Sequence, residues 1–188
     1  MLAHLTLRHS LAALITVVAV ALTGFAAAAD EAERKAINSG ADLALQQLYS
    51  ENPSAKQLAD KATAVLVFPT ITKAGLGVGA EAGKGVLRVG GKSIAYYRTR
   101  GLSFGAQAGA QTYGYVVLFM TQAAYDSFVA KKGYELGVDG SIAVVDAGAT
   151  AEIDTKSLKS DTIGIVFNEK GLMANLSIEG SKISQIDI

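Results

Sequence analysis

Along residues 31–49 apolar side chains return at intervals of three and four, at Ile37, Ala41, Ala44, Leu45 and Leu48. That is the period of a helix with one buried face. Asp30, Glu31 and Glu33 crowd its start, where negative charge complements the helix dipole. Asn52-Pro53-Ser54 ends this helix and offers Ser54 as the N-cap of a short second one reaching about Ala62. The texture then changes. Residues 64–69 form an apolar run of the buried-strand type, and glycines follow at 75, 77, 79, 83, 85, 90 and 91. Segments 86–89 and 93–99 flank Gly90-Gly91 in the pattern of a hairpin with a two-residue turn. Segments 102–109 and 113–120 predict two further strands. Thr121 caps a predicted helix over 122–132, with Ala124, Tyr125 and Phe128 as its apolar stripe. Asp139-Gly140 turns into a strand at 142–145, and 162–167 pairs with 172–178 across a turn containing Lys170-Gly171. No linker, repeat or low-complexity tract intervenes. The pattern predicts one α+β domain: N-terminal helices packed on a large antiparallel sheet that curls or closes like a barrel.

Residues 1–29 follow another logic. Arg8 with His4 and His9 makes a positive start, residues 11–22 an apolar stretch, and Ala27-Ala28-Ala29 a small-residue cleavage site. This order is that of a secretory signal, which places the mature start at Asp30, the domain at 30–188, and the protein outside the cytoplasm, in the periplasm or cell envelope or secreted. A retained anchor is the alternative, but the apolar run is shorter than the ~20 residues a span needs. The processed chain would hold 16 basic and 17 acidic residues.

The chemistry of the processed chain is narrow. The full chain has no Cys, no Trp and two His, both in the leader. Without them there is no Ser-His-Asp or Cys-His catalysis, no zinc site of the usual ligands and no thiol redox role. Gly75-Leu-Gly77-Val-Gly79-Ala80 matches a dinucleotide fingerprint, but no helical stripe follows to hold a pyrophosphate. The glycines instead suit a strand that bends and approaches another backbone closely. Gly83-Lys84 lacks the Ser or Thr of a phosphate loop. Glu152 with Asp154, and Asp139 with Asp146, could pair as glycosidase carboxylates, though exposed acids on strands explain them more simply. The sequence therefore predicts a protein that is not an enzyme, with no metal and no cofactor.

Charge is informative once located. Residues 56–100 carry eight basic against two acidic side chains, whereas the flanking parts of the processed chain are net acidic. A basic region on an exported protein suggests an anionic lipid surface, and the candidate residues are Lys73, Lys84, Arg88, Lys92, Arg98 and Arg100. A strict two-residue turn divides them: Lys84 and Arg88 project from one face, Lys92, Arg98 and Arg100 from the other. One patch requires a bulge, a longer loop or contact at the rim. Tyr96 and Tyr97 could stack bases, but export argues against nucleic acid.

Between Phe68 and Ser181 the chain resembles the SYLF domain family, a lipid-binding domain of the Las-seventeen-binding, actin-regulator type. The resemblance rests on Phe68-Pro69, Lys73-Ala74-Gly75, residues 83–87, the stretch Ser103-Phe-Gly105-Ala-Gln107-Ala-Gly109-Ala110, Val116-Val117-Leu118, residues 136–143 and residues 170–181. Eukaryotic members usually carry Trp-x-x-Pro where Tyr96-Tyr97-Arg98-Thr99 stands here, and Gly-Pro where Gly148-Ala149 stands. The partner-binding domains that often follow in eukaryotes are not expected here. These departures point to an exported bacterial branch. The resemblance implies binding of anionic membrane lipid, phosphoinositides in eukaryotes, through basic residues and an amphipathic N-terminal helix, and implies no enzymatic activity. The expected partner is an anionic phospholipid membrane surface. The competing expectation is a periplasmic structural domain that binds a protein or polysaccharide without lipid.

Overall fold

A computed structural model of the chain describes residues 3–147, 159–171 and 178–188, with side chains over 27–76, 78–102, 109–147, 159–168 and 178–188. The order is α1 (Ala3–Glu51), α2 (Pro53–Lys61), β1 (Ala64–Val89), β2 (Lys92–Phe119), α3 (Gln122–Val129), β3 (Gly133–Glu135), β4 (Ala143–Asp146), β5 (Thr162–Gly171) and β6 (Lys182–Ile186). The chain divides into two compact units, residues 1–36 with Ile188, and residues 37–187. In the first, the Arg34 Nε donates to the Ile188 carbonyl. The second holds the sheet.

α1 starts well before Glu31, because the alanines at 26–29 are strong helix formers and nothing there breaks the helix. Asp30, Glu31 and Glu33 therefore lie inside the helix rather than in its first turn. The cap of α2 is Asn52, not Ser54: its side chain accepts from the Ala55 amide at 3.1 Å, and Pro53 occupies the first helical position. Proline's fixed φ suits that position, which moves the cap one residue upstream of it. Thr121 caps α3 as expected, with its hydroxyl accepting from the Ala124 amide at 3.3 Å, although the helix stops at Val129.

The strands expected separately over 64–120 merge into one long antiparallel ribbon, β1 with β2, turning at Gly90-Gly91. Both turn glycines have positive φ, +56° and +78°, which the two-residue turn requires. On the other edge of β2, β5 pairs with residues 111–119 and β6 with 96–100. β3 flanks β6, and β4 flanks β5 in parallel. Among the described residues the sheet is thus six-stranded and antiparallel except for β4. Lys170 and Gly171 lie within β5, opposite Thr112 and Gln111, rather than in a turn. Backbone pairing to β2 continues through them. The predicted strand at 172–178 falls outside the described residues except for Ile178, as do Glu152 and Asp154.

The ribbon folds back on itself. A Cβ placed on Gly75 would lie 2.3 Å from the Gly79 Cα, so the strand bends sharply between them. Beyond the bend, a Cβ on Gly83 would lie 2.7 Å from the Thr70 carbonyl oxygen, and one on Gly85 would lie 2.4 Å from that of Val67. One half of β1 crosses the other backbone to backbone, which only glycine permits. The fingerprint-like glycines are a bend and a crossing, and β1 continues through them.

Two apolar layers result. Inside the curl, Phe68 meets Tyr115 at 4.8 Å between ring centres, and Phe128 of α3 meets Phe119, Tyr97 and Tyr134 at 4.8, 5.0 and 5.2 Å. By alternation Val67, Val86, Val116 and Leu118 face the other side, and they too are buried. There they meet the second layer: Ile37, Ala41, Ala44 and Leu48 of α1 with Ala55 and Leu58 of α2. Gly40 lies against Pro69, Asn38 donates to the Tyr96 hydroxyl at 2.7 Å, and Gln47 exchanges hydrogen bonds with Asn168 at 2.8 Å. The apolar stripe of α1 is thus covered by the sheet.

Candidate functional site

The register of the ribbon decides where its cations point. At the turn, Val89 opposes Lys92 and Arg88 opposes Ser93, as a strict two-residue turn demands. One step further, Leu87 opposes Ala95, so Ile94 is an extra residue on β2. Such a bulge reverses the facing of every residue beyond it. Lys84 now opposes Arg98, and Ala82 opposes Arg100. Lys84, Arg98 and Arg100 share the outer face, and the division of cations expected without a bulge is overturned.

The remaining candidates are placed elsewhere. Arg88 also faces outward, but α1 covers it: Asp42 accepts from its Nη1 at 2.7 Å and the Asn38 carbonyl from its Nη2 at 3.3 Å. It ties helix to ribbon. Lys73 is buried on the inner face, opposite Gln111. Lys92 is exposed at the turn, on the side opposite Arg88. Tyr97 is buried against Phe128, and the Tyr96 hydroxyl accepts from Asn38, so the two rings do not form an open stacking pair.

A fourth outer cation, Lys182, was not anticipated from sequence. β6 sets it directly opposite Arg100, and β3 sets Glu135 beyond it. Its position depends on a buried carboxylate. Glu81, on the inner face, accepts from the Tyr113 hydroxyl at 2.8 Å and from the Ser181 hydroxyl at 2.7 Å. The second bond pins the residue immediately before β6. Gly101, opposite Glu81, leaves the carboxylate room, since a Cβ there would lie 2.6 Å from Glu81 Oε1. Burial pushes the neighbouring Tyr115 phenol far above its ordinary range, so it stays protonated. The signal for Lys182 was available in principle, as an apolar Ile183 between polar neighbours after Gly180.

Arg100, Lys182 and Glu135 border an open cavity of about 640 Å³, floored by Ala80, Ala82, Gly101 and Leu102. Toward the bend the outer face turns apolar: Leu102, Val78 and Leu76 are 73%, 54% and 82% exposed. Asp139 lies within electrostatic reach of Lys182. Lys131 Nζ at 2.6 Å and the Glu135 amide at 2.8 Å hold its carboxyl below the usual carboxylate range. Among the described residues no three His, Cys, Asp or Glu side chains gather as metal ligands do.

These features define a small α+β domain whose distinctive surface is a sheet face, cationic along one part and apolar along the next. Residues 100–187 match the family model Ysc84, described as Las17-binding protein actin regulator. The chain is also 37% identical over 151 residues to Beta cell expansion factor A of Aeromonas veronii, a match covering 79% of this chain and 56% of that protein. The chain belongs to the Ysc84, or SYLF, family. It spans little more than half the length of that relative. The family is linked to lipid and protein binding and is not a known enzyme family.

Proposed function

We propose that the chain is a non-enzymatic domain that associates with anionic membrane lipid, and that the outer face of the ribbon makes the contact. The observation that carries this is the bulge at Ile94, which gathers Lys84, Arg98 and Arg100 on one face beside Lys182. Each cation near an anionic surface contributes about 1 kcal/mol, so three or four together give weak, reversible binding. The amphipathic helix is a poorer candidate, because its apolar stripe is buried. The proposal extends to location: an exported protein of the cell envelope, beginning at Asp30. A full-length mass in the envelope fraction would overturn that part.

The test is cosedimentation with phosphatidylglycerol or cardiolipin vesicles at rising salt. Binding should weaken as the Debye length shrinks from about 10 Å at 0.1 M to about 3 Å at 1 M. Reversing Arg98 and Arg100 together should abolish it, while Lys92→Glu, on the opposite side, should change it little. If the wild type never cosediments even at low salt, a protein or polysaccharide partner takes the place of lipid. The family's Las17-binding description is what supports the protein alternative.

A further inference from the structure

The outer face of the ribbon is graded along its length. From the helix-covered end toward the bend, successive rows are Lys84 with Arg98, then Ala82 with Arg100 and Lys182, then Ala80 with Leu102, then Val78 and Leu76. Even-numbered residues 72–84 of β1 are all exposed, so the alternation holds through the bend. Up to the bend, each row lies two residues, roughly 6–7 Å, from the next. The first apolar row, Ala80 with Leu102, thus lies about 6–7 Å beyond the Arg100–Lys182 row, and Val78 and Leu76 follow it on the bend itself. An interfacial element buries its apolar part about 5–10 Å into the headgroup and acyl boundary, so this grading has the dimensions of a bilayer surface.

Position and exposure agree with that match. Gly75 and Gly79 close on each other on the inner side of the bend, which puts the intervening outward residues at its convex apex. Leu76 and Leu102 are the two most exposed large apolar side chains among the described residues, and Val78 accompanies them. Of the other exposed apolar residues, Leu43, Val129 and Val138 belong to other elements or loops, and Ile94 lies at the opposite, turn end of the ribbon. Apolar clusters bordered by charge mark interaction surfaces. The occupant here has to accept cations at one depth and hydrocarbon at the next, as a phospholipid bilayer does.

We propose that the bend of the β1–β2 ribbon is a membrane wedge: Leu76, Val78 and Leu102 enter the acyl boundary of an anionic bilayer while Arg98, Arg100 and Lys182 stay at the phosphates. This rests on the lipid reading above and adds insertion to surface attraction. The chain has no tryptophan, so one introduced indole reports unambiguously. Leu102→Trp and Leu76→Trp would each be made in the full chain, with Ile94→Trp at the turn end as the comparison. Each would be mixed with phosphatidylglycerol vesicles, with and without bromine on the acyl chains. Indoles at 102 and 76 should shift to the blue and be quenched at least twofold by the brominated lipid, while that at 94 should do neither. The Leu76→Ser/Leu102→Ser variant should lose the part of binding that survives high salt. Cosedimentation without shift or quenching at 102 and 76 overturns insertion and leaves surface binding standing. Quenching at 94 alone overturns the wedge's orientation, and absence of cosedimentation removes the lipid reading and the wedge with it.

Discussion

A methyl group at position 85 would sit 2.4 Å from the Val67 carbonyl oxygen and 2.6 Å from the Phe68 ring. Neither neighbour can yield, since Val67 is held in a strand ladder and the Phe68 ring is packed at a tilt against Tyr115. Gly85→Ala should destabilise the fold by about 2–3 kcal/mol, as overpacking does. At roughly 2–4 °C per kcal/mol for a domain of this size, the Tm should fall by about 4–12 °C. Thermal melts followed by circular dichroism would show it, and an unchanged Tm would mean that the crossing is loose. Asp139 offers a pH-dependent counterpart. Its carboxyl is held below the ordinary range, chiefly by Lys131 and then by the Glu135 amide, so folding favours the ionised form. Its contribution is complete above the unfolded pKa and disappears as pH falls through the folded one. The stability advantage of wild type over Asp139→Asn should therefore hold at neutral pH and vanish in acid. An advantage that persists in strong acid would show that Asp139 acts through shape instead of charge.

The ribbon and its helix show where pattern reading succeeds and where it stops. Periodicity located the buried stripe of α1, and Gly90-Gly91 marked the turn, because both are local signals. The bulge was not legible: nothing in Ser93-Ile94-Ala95 distinguishes an extra residue from a regular one, yet it moves Arg98 and Arg100 to the other face. Arg88 escaped for a related reason. Its partner Asp42 lies 46 residues away in sequence, and a cation facing a helix reads the same as one facing water. Arg88→Glu should lower stability by about 1–3 kcal/mol, since a half-buried site loses its charged hydrogen bonds to α1. Adding Asp42→Arg should recover part of the loss. Vesicle binding per folded molecule should survive both changes; if Arg88→Glu removes binding without lowering the Tm, Arg88 belongs to the lipid face after all.

Across the chain, composition told what the protein lacks and charge told where it is uneven. The α+β class followed from helices preceding a long run of strands. The parallel pairing of β4 with β5 could not be read, because it joins segments by way of residues with no strong period. Lys182 was missed because β6 is only five residues long and its place is set by Glu81, a hundred positions earlier in the chain. The fold-back of the ribbon also has a consequence in time. Pairing can zip outward from Gly90-Gly91, each rung closing a short loop left by the one before, until Ala64 meets Phe119. The crossing of Gly83 and Gly85 over Thr70 and Val67 needs rungs on both sides of the bend, so it is expected to form late and to open early. A chain caught between those events is a straightened hairpin with Phe68 and Tyr115 bared to solvent and its backbone ladder intact. Such a partly folded species, with aromatic surface and a long unpaired strand edge, is the form in which this protein is most exposed to aggregation.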